Sequence, residues 1–394
     1  MFLAWAGGAS LAERFAQIYQ TLAGLFPTQR RPGRTYQGLV KALDRQHAVL
    51  LPAVQAHLRA LLPTLAPAVW RSAGWAVFAG DGSKVELPRT PGHEQASGSA
   101  GKSGSGPQRY LTWLMHMGLN TLWDWRQGPA RSSERAHLAQ MLAALPVEQC
   151  LLLLDAGFPG YDLLTQIVAS GRHVLVRVGA NVRLLTQLGY AYQEHAGIVY
   201  LWPQDQQGRG RPPLVLRLLV VEGGRTPVYL LTDVLDQAVL GDAQAGAFYR
   251  LRWGVEVAYR HFKRTLGQHK LASRAARPAE LELDWAVVGF WLLSMLGIQA
   301  LVAAGQAPTR LSVARARTVL RDALARPRGR GAAYSLGRRL SRAVRDAYQR
   351  KGPKATRLWP RKKREAPPGA PRLRPATARE VQLAQRLKAL TLVT

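Results

Sequence analysis

Along the first 70 residues, apolar side chains recur every three or four positions. They fall at Leu11, Phe15, Ile18, Tyr19 and Leu22, and again at Leu39, Leu43, Leu50 and Leu51 beside His47. That period puts them on one helix face, so two helices are predicted. The link between them, TQRRPGRTY, carries Arg30, Arg31 and Arg34. From Trp75 the pattern changes. WAVFA is a short apolar run leading into Gly80-Asp81-Gly82-Ser83, and YLTWLMHMGLNTLWDW (110–125) reads as a strand pair. The Gly/Ser-rich stretch 91–109 between them reads as a flexible loop. A helix is expected over 132–145, a buried strand over 151–154 ending on Asp155, a helix over 161–170 and a strand over HVLVRV (173–178). Strands alternating with helices indicate an α/β core on a mixed sheet.

Beyond residue 179 the rhythm becomes all-β. GIVYLWP, PLVLRLLVV and PVYLLT are strand-like runs separated by Gly/Pro turns, as in a β-rich insertion. Residues 242–266 then read as a helix capped by Asp242 and stopped by Gly267. The run WAVVGFWLLSMLGIQALVAAG (285–305) is long and apolar enough for a membrane span. Ser294 and Gln299 interrupt it, no second span is apparent and a basic segment follows, so a buried helix is expected. Residues 309–364 read as helical, and APPGAPRLRP (366–375) as an extended linker.

Charge sharpens this picture. Lys and Arg number 54 against 24 Asp and Glu, a formal net charge of +30. Such an excess repels itself unless a polyanion is near, and nucleic acid is the obvious one. The single cysteine, Cys150, precedes an apolar run and has no disulfide or zinc-ligand partner in the sequence. The start, MFLAWAGGASLAERF, lacks a basic leader, so a cytoplasmic protein is expected.

The strongest chemical signal is YRLRWGVEVAYRHFK. Tyr249, Arg252, Glu256 and Lys263 fall at offsets 0, 3, 7 and 14. On a straight helix they share an arc of about 60°. A solvated stripe in which Arg252 and Glu256 form an i,i+4 pair would give the same spacing. The motif resembles the signature of the DDE transposases of bacterial insertion sequences, of the type called insertion sequence family four. Two other segments agree with it: Phe78-Ala-Gly-Asp81-Gly-Ser83 and Leu154-Asp155-Ala156-Gly157-Phe158, each placing an Asp at a strand end before Gly. The resemblance spans about residues 75–270.

That resemblance implies a ribonuclease-H-like α/β fold, a mixed sheet with helices, and the chain's own pattern adds a β-rich insertion, a helical N-terminal region and a basic C-terminal region. The expected domains are a helical DNA-binding domain over 1–70, the first part of the catalytic domain over 71–179, the insertion over 180–232, the second catalytic part with the catalytic helix over 233–306, and the basic region over 307–394. It implies a cut-and-paste DNA transposase with Asp81, Asp155 and Glu256 as catalytic and metal-binding carboxylates. Two Mg²⁺ ions, with Mn²⁺ an acceptable substitute, suit carboxylate oxygens and phosphodiester chemistry. Asp81 would bridge both ions, with Asp155 and Glu256 each completing one shell.

Tyr249, Arg252 and Lys263 would grip phosphates, as would Arg30, Arg31 and Arg34. Trp202 and Tyr229 of the insertion are candidates for stacking on a base. The implied partners are double-stranded DNA with terminal inverted repeats and target DNA, met by a homodimer in the DNA complex and without a membrane. A ribonuclease-H-like nuclease without strand transfer, and a non-catalytic DNA-binding protein, are the rival readings. Asp124, Asp162 and Asp233 read as surface or capping residues and His116 as a core histidine. Ser83 and Lys84 could either contact DNA or shape a turn.

Overall fold

The computed structural model describes residues 2–8, 10–25, 35–100, 104–192, 197–222, 226–325, 332–346 and 368–391. Arg30, Arg31 and Arg34 lie outside them. The chain divides into two compact units. One comprises Met1–Ala76, Asp81–Met141 and Trp253–Asp346; the other comprises Val77–Gly80, Leu142–Arg252 and Ala347–Thr394.

In the first unit the sheet consists of β1 (Ala76–Glu86, from Asp81 onward), β2 (Gln108–His116) and β3 (Thr121–Pro129). β2 and β3 pair antiparallel, with a bulge between Leu114 and Met115, so the strand pair read from 110–125 is present. The stretch 91–109 is less loose than expected. Thr90 caps a short helix, Pro91–Ala96, by accepting a hydrogen bond from His93 N at 3.3 Å, and β2 already begins at Gln108.

The core of this unit is the helix Ala276–Ala303, which buries Val287, Phe290, Trp291 and Leu293. The apolar run around 285–305 is thus covered by protein. Tyr36–Leu65 is also long and apolar enough by composition to cross a membrane, a second such helix that the sequence reading did not find. Polar groups tie these two helices to β3. Asp284 accepts from the indole of Trp125 at 2.8 Å and lies 3.2 Å from His47 Nε2. Asp124, expected at the surface, is 1% exposed. Its carboxylate meets Gln55 at 3.2 Å, Arg59 at 3.4 Å and Arg126 at 3.0 Å, the cationic company that makes burial of the charge tolerable. Asp162 is exposed and pairs with Arg211 at 2.8 Å in the second unit.

In the second unit, residues Val77–Gly80 of β1 lie beside β4 (Cys150–Leu154). β4 pairs parallel with β5 (His173–Val178). The insertion contributes β6 (Arg183–Thr186), β7 (Ile198–Leu201), β8 (Leu214–Val221) and β9 (Val228–Thr232), which continue the sheet from β5 in the order β9, β8, β7, β6. Asp233, also expected at the surface or in a cap, accepts from Val174 N at 2.8 Å and from His173 at 2.7 Å. It brackets β5 and β9. β10 (Arg372–Pro375) pairs parallel with β6, residue 372 opposite 183. The linker expected over 366–375 is therefore partly a sheet strand, followed by the helix Ala378–Thr391. β1 contributes residues to both units, Val77–Gly80 to the second and Asp81 onward to the first.

Candidate active site

Asp81 sits at a change of texture within β1. Before it the strand is fully buried; from it the side chains are half-buried, and β1 runs on to Glu86 rather than ending at the carboxylate as expected. Asp81 Oδ1 accepts from Gly82 N at 2.8 Å. Gly82 is required by crowding, since a Cβ there would lie 2.2 Å from Tyr110 Oη. Tyr110, on β2, donates in turn to Glu134 at 2.8 Å. In the second unit Asp155 directly follows β4, and its Oδ1 accepts from Gly157 N at 2.8 Å. Asp81 thus lies within a strand and Asp155 just after one, and each carboxylate accepts from the backbone amide of a nearby glycine.

The helix expected over 242–266 is not one straight rod. It comprises Asp242–Leu251, then Trp253–Arg260, then a wider π-type turn over His261–Thr265. Arg252 N reaches the carbonyl of Tyr249 at 3.2 Å, a tighter spacing than an α-helix has, so the ideal arc drawn for the four motif residues does not describe this stretch. Gly241, rather than Asp242, is the N-cap, and no side chain caps it; Asp242 is engaged instead with Arg217 at 3.6 Å. Gly267 does end the stretch, at φ +75°.

In the first unit Glu256 is half-buried, one turn into its helix. Lys263 Nζ donates to Ser83 Oγ at 2.7 Å, so Ser83 is bound to the motif lysine. Burial lowers the Lys263 pKa, opposed by Glu86 and Asp81. Lys84 donates to the carbonyl of Ala100 at 2.6 Å. Tyr259, which the sequence reading did not single out, is buried between β1 and β2. Its Oη lies 2.8 Å from the carbonyl of Leu111 and 3.0 Å from that of Asp81. Burial raises its pKa well above 10, with the charges of Asp81, Tyr110 and Glu134 acting in the same sense, so it is a donor at any working pH.

In the second unit Tyr249 stands with Arg252, whose guanidinium lies 5.9 Å from its ring centroid, and with Arg177 and Asp155. Burial raises the Tyr249 pKa, Arg252 and Arg177 oppose this, and Asp155 adds to it. Its Oη is buried without a hydrogen-bond partner among the described residues. Arg177 was missed because a lone Arg in the apolar run of β5 gives no periodic signal.

The insertion aromatics differ from expectation. Trp202 is 4% exposed and its indole donates to the carbonyl of Arg211 at 2.7 Å, so it is a packing residue with no face open to a base. Tyr229 is half-buried on β9. Tyr192 of the insertion is 86% exposed, and outside it Trp253, three residues before Glu256, is 55% exposed. His116 is a core histidine as expected, fully buried, with Nε2 2.9 Å from the carbonyl of Trp70 and Nδ1 accepting from Leu119 N at 3.1 Å.

Asp81, Asp155 and Glu256 offer only hard carboxylate oxygens, the donor type that suits Mg²⁺. Among the described residues no three Asp, Glu, His or Cys side chains stand close enough to cage an ion unaided. Mg²⁺ is ordinarily held by one or two carboxylates with water and substrate phosphate, so the donor set fits an ion completed by DNA.

Residues 76–288 match the family described as the transposase DDE domain. Over 226 residues the chain is 27% identical to the transposase InsG for insertion sequence element IS4 of Escherichia coli (strain K12), covering 55% of this chain and 50% of that protein. The chain therefore spans about half the length of this curated relative. A piggyBac transposase in a synaptic complex with hairpin DNA aligns with a TM-score of 0.41 and 11% identity, over 69% of this chain and 58% of that one.

Proposed function

Because the chain belongs to the transposase DDE domain family, we propose that it is a DNA transposase that cuts at transposon ends and joins them to target DNA through Asp81, Asp155 and Glu256. The observation that carries this reading is that the family match contains all three carboxylates. One lies within β1 and one just after β4, each accepting from a nearby glycine amide, and the third rides the helix Trp253–Arg260. The three would hold divalent cations, Mg²⁺ or in its place Mn²⁺, two ions in the full assembly. Such ions supply Lewis acidity and an activated nucleophile at neutral pH.

The chain's own residues bind and orient the DNA. Tyr249 Oη, an unpartnered buried donor among Arg252 and Arg177, suits a phosphate oxygen. Lys263, held beside Asp81's strand by Ser83, brings a cation to the next phosphate. Trp253 offers the π-face on which a base near the cut can stack, with Tyr229 a lesser alternative. The partners are double-stranded DNA bearing terminal inverted repeats and target DNA, engaged by a homodimer at the nucleoid, with residues 1–70 and the basic C-terminal region adding affinity.

The test is nicking and strand transfer on a plasmid carrying the element's ends, with Mg²⁺ or Mn²⁺ supplied. Asp81→Ala, Asp155→Ala and Glu256→Ala should each abolish cleavage while leaving end binding largely intact. Near-normal nicking by any of the three sinks the assignment. Nicking without strand transfer favours a simple nuclease.

A further inference from the structure

Tyr259 stands three residues after Glu256 on the same helix, less than one turn away. Its hydroxyl reaches across to the sheet and lies between two main-chain carbonyls, that of Leu111 on β2 at 2.8 Å and that of Asp81 on β1 at 3.0 Å. Its ring stacks on Trp113 with centroids 4.2 Å apart and planes 12° apart; Trp113 in turn stacks on Phe290 at 5.2 Å. The ring is held by this stack, and the Trp113 main chain also meets the hydroxyl.

A buried tyrosine needs some acceptor, and any nearby carbonyl would satisfy it. Here one acceptor belongs to a proposed metal ligand, and the donor belongs to the helix that carries another. A second tie, Lys263 to Ser83, joins the end of the same stretch to β1 two residues beyond Asp81. Tyr110 crosses the intervening Gly82 so closely that no side chain fits. β1 is thus clamped at Asp81, Gly82 and Ser83 in succession.

We infer that Tyr259 is a positioning residue of this active site, setting the distance between the carboxylates of Asp81 and Glu256 through its hydrogen bond to the main chain of Asp81. The inference rests on the assignment of those carboxylates as metal ligands. Carboxylates that must share ions and phosphate oxygens tolerate little error in spacing, and outer contacts that orient ligands matter nearly as much as the ligands.

The test uses the full chain and Mn²⁺ as the probe, with binding read from the electron paramagnetic resonance of free Mn²⁺ and stability from the melting temperature. Tyr259→Phe keeps the stack and loses only the hydroxyl. Mn²⁺ affinity should fall about tenfold or more, nicking should slow, and raising Mn²⁺ should recover part of the rate. Trp113→Phe keeps the hydroxyl and weakens the stack; it should lower the melting temperature yet leave Mn²⁺ affinity within about twofold, well short of a ligand-orienting loss. Hydrogen exchange gives a second reading: in Tyr259→Phe it should rise at residues 81–83 more than elsewhere.

Unchanged Mn²⁺ affinity in Tyr259→Phe overturns the inference, as does loss of affinity in both variants in proportion to their loss of stability. Asp81→Ala separates the two levels of argument. If it abolishes Mn²⁺ binding while Tyr259→Phe binds normally, the positioning role alone fails. If Asp81→Ala itself binds and nicks normally, the metal site fails and the positioning role with it.

Discussion

Lowering the pH should loosen the turn against which the helix Trp253–Arg260 begins, and His116 is the group responsible. Its ring lies flat on Trp70, with centroids 4.2 Å apart and planes 4° apart. Nδ1 accepts from Leu119 N, so the single proton sits on Nε2, facing the carbonyl of Trp70. A second proton would take away the acceptor and bury a charge. Burial accordingly pushes its pKa down from 6.5 to about 4.

The sign follows from linkage. Between pH 6.5 and 4 the unfolded chain takes up a proton at this site and the native chain does not, so stability is full above pH 6.5 and is lost as pH falls. At pH 5 the loss is about 2 kcal/mol, a sizeable part of a typical folding free energy. The effect reaches the helix that carries Glu256 because residues 117–120 join β2 to β3. A Cβ at Gly254, two residues before Glu256, would lie 2.7 Å from Met117 and 2.9 Å from Asn120. Urea unfolding at pH 7.5, 6 and 5, at fixed ionic strength, measures the loss. His116→Gln should be less stable at pH 7.5 yet show a profile flatter by about 2 kcal/mol between pH 7.5 and 5. Parallel profiles for the two proteins would refute the reasoning.

Two further outcomes are expected. Lys263→Met keeps the aliphatic stem and removes the cation; binding to a transposon end should weaken and its log–log salt slope should flatten by about one unit. Ser83→Ala should leave that slope alone, and an equal effect of both variants would mean that the lysine serves only to hold β1. Glu380→Gln should release the C-terminal helix from the insertion. Arg374 at 2.6 Å, with Thr377 and Gln207, holds this carboxyl down at about 2, so the clamp stays charged throughout ordinary pH. Trypsin at neutral pH should then cut within 368–391 sooner than in the wild type, and unchanged digestion would count against the clamp.

Much of the fold was legible because it is written locally. The apolar runs of β4 and β5, the paired runs of β2 and β3 and the helix Ala276–Ala303 each carry their period or length within a few turns of chain. What failed was what depends on distant partners. Asp124 looks like a surface acid until Arg59 and Gln55, on a helix from the first 70 residues, come to meet it. Trp202 looks like an exposed aromatic until Arg211 offers its carbonyl. At the candidate site, glycines one residue after Asp81 and two after Asp155 marked both carboxylates in the sequence. Tyr259 left none: its partners are main-chain carbonyls, which every residue possesses.

β10 brings the order of synthesis into the life of this protein. Its pairing with β6 joins residues 183 and 372, so a ribosome adds 188 residues after the first before the second exists. During that interval β6 stands as an open sheet edge with its hydrogen-bonding groups unmet, a template for pairing with another unfinished chain. Closing so long a loop is also among the slower events of folding. Chains truncated before Arg372 should therefore be prone to edge-to-edge aggregation, and β10 works as a seal on the β6 edge.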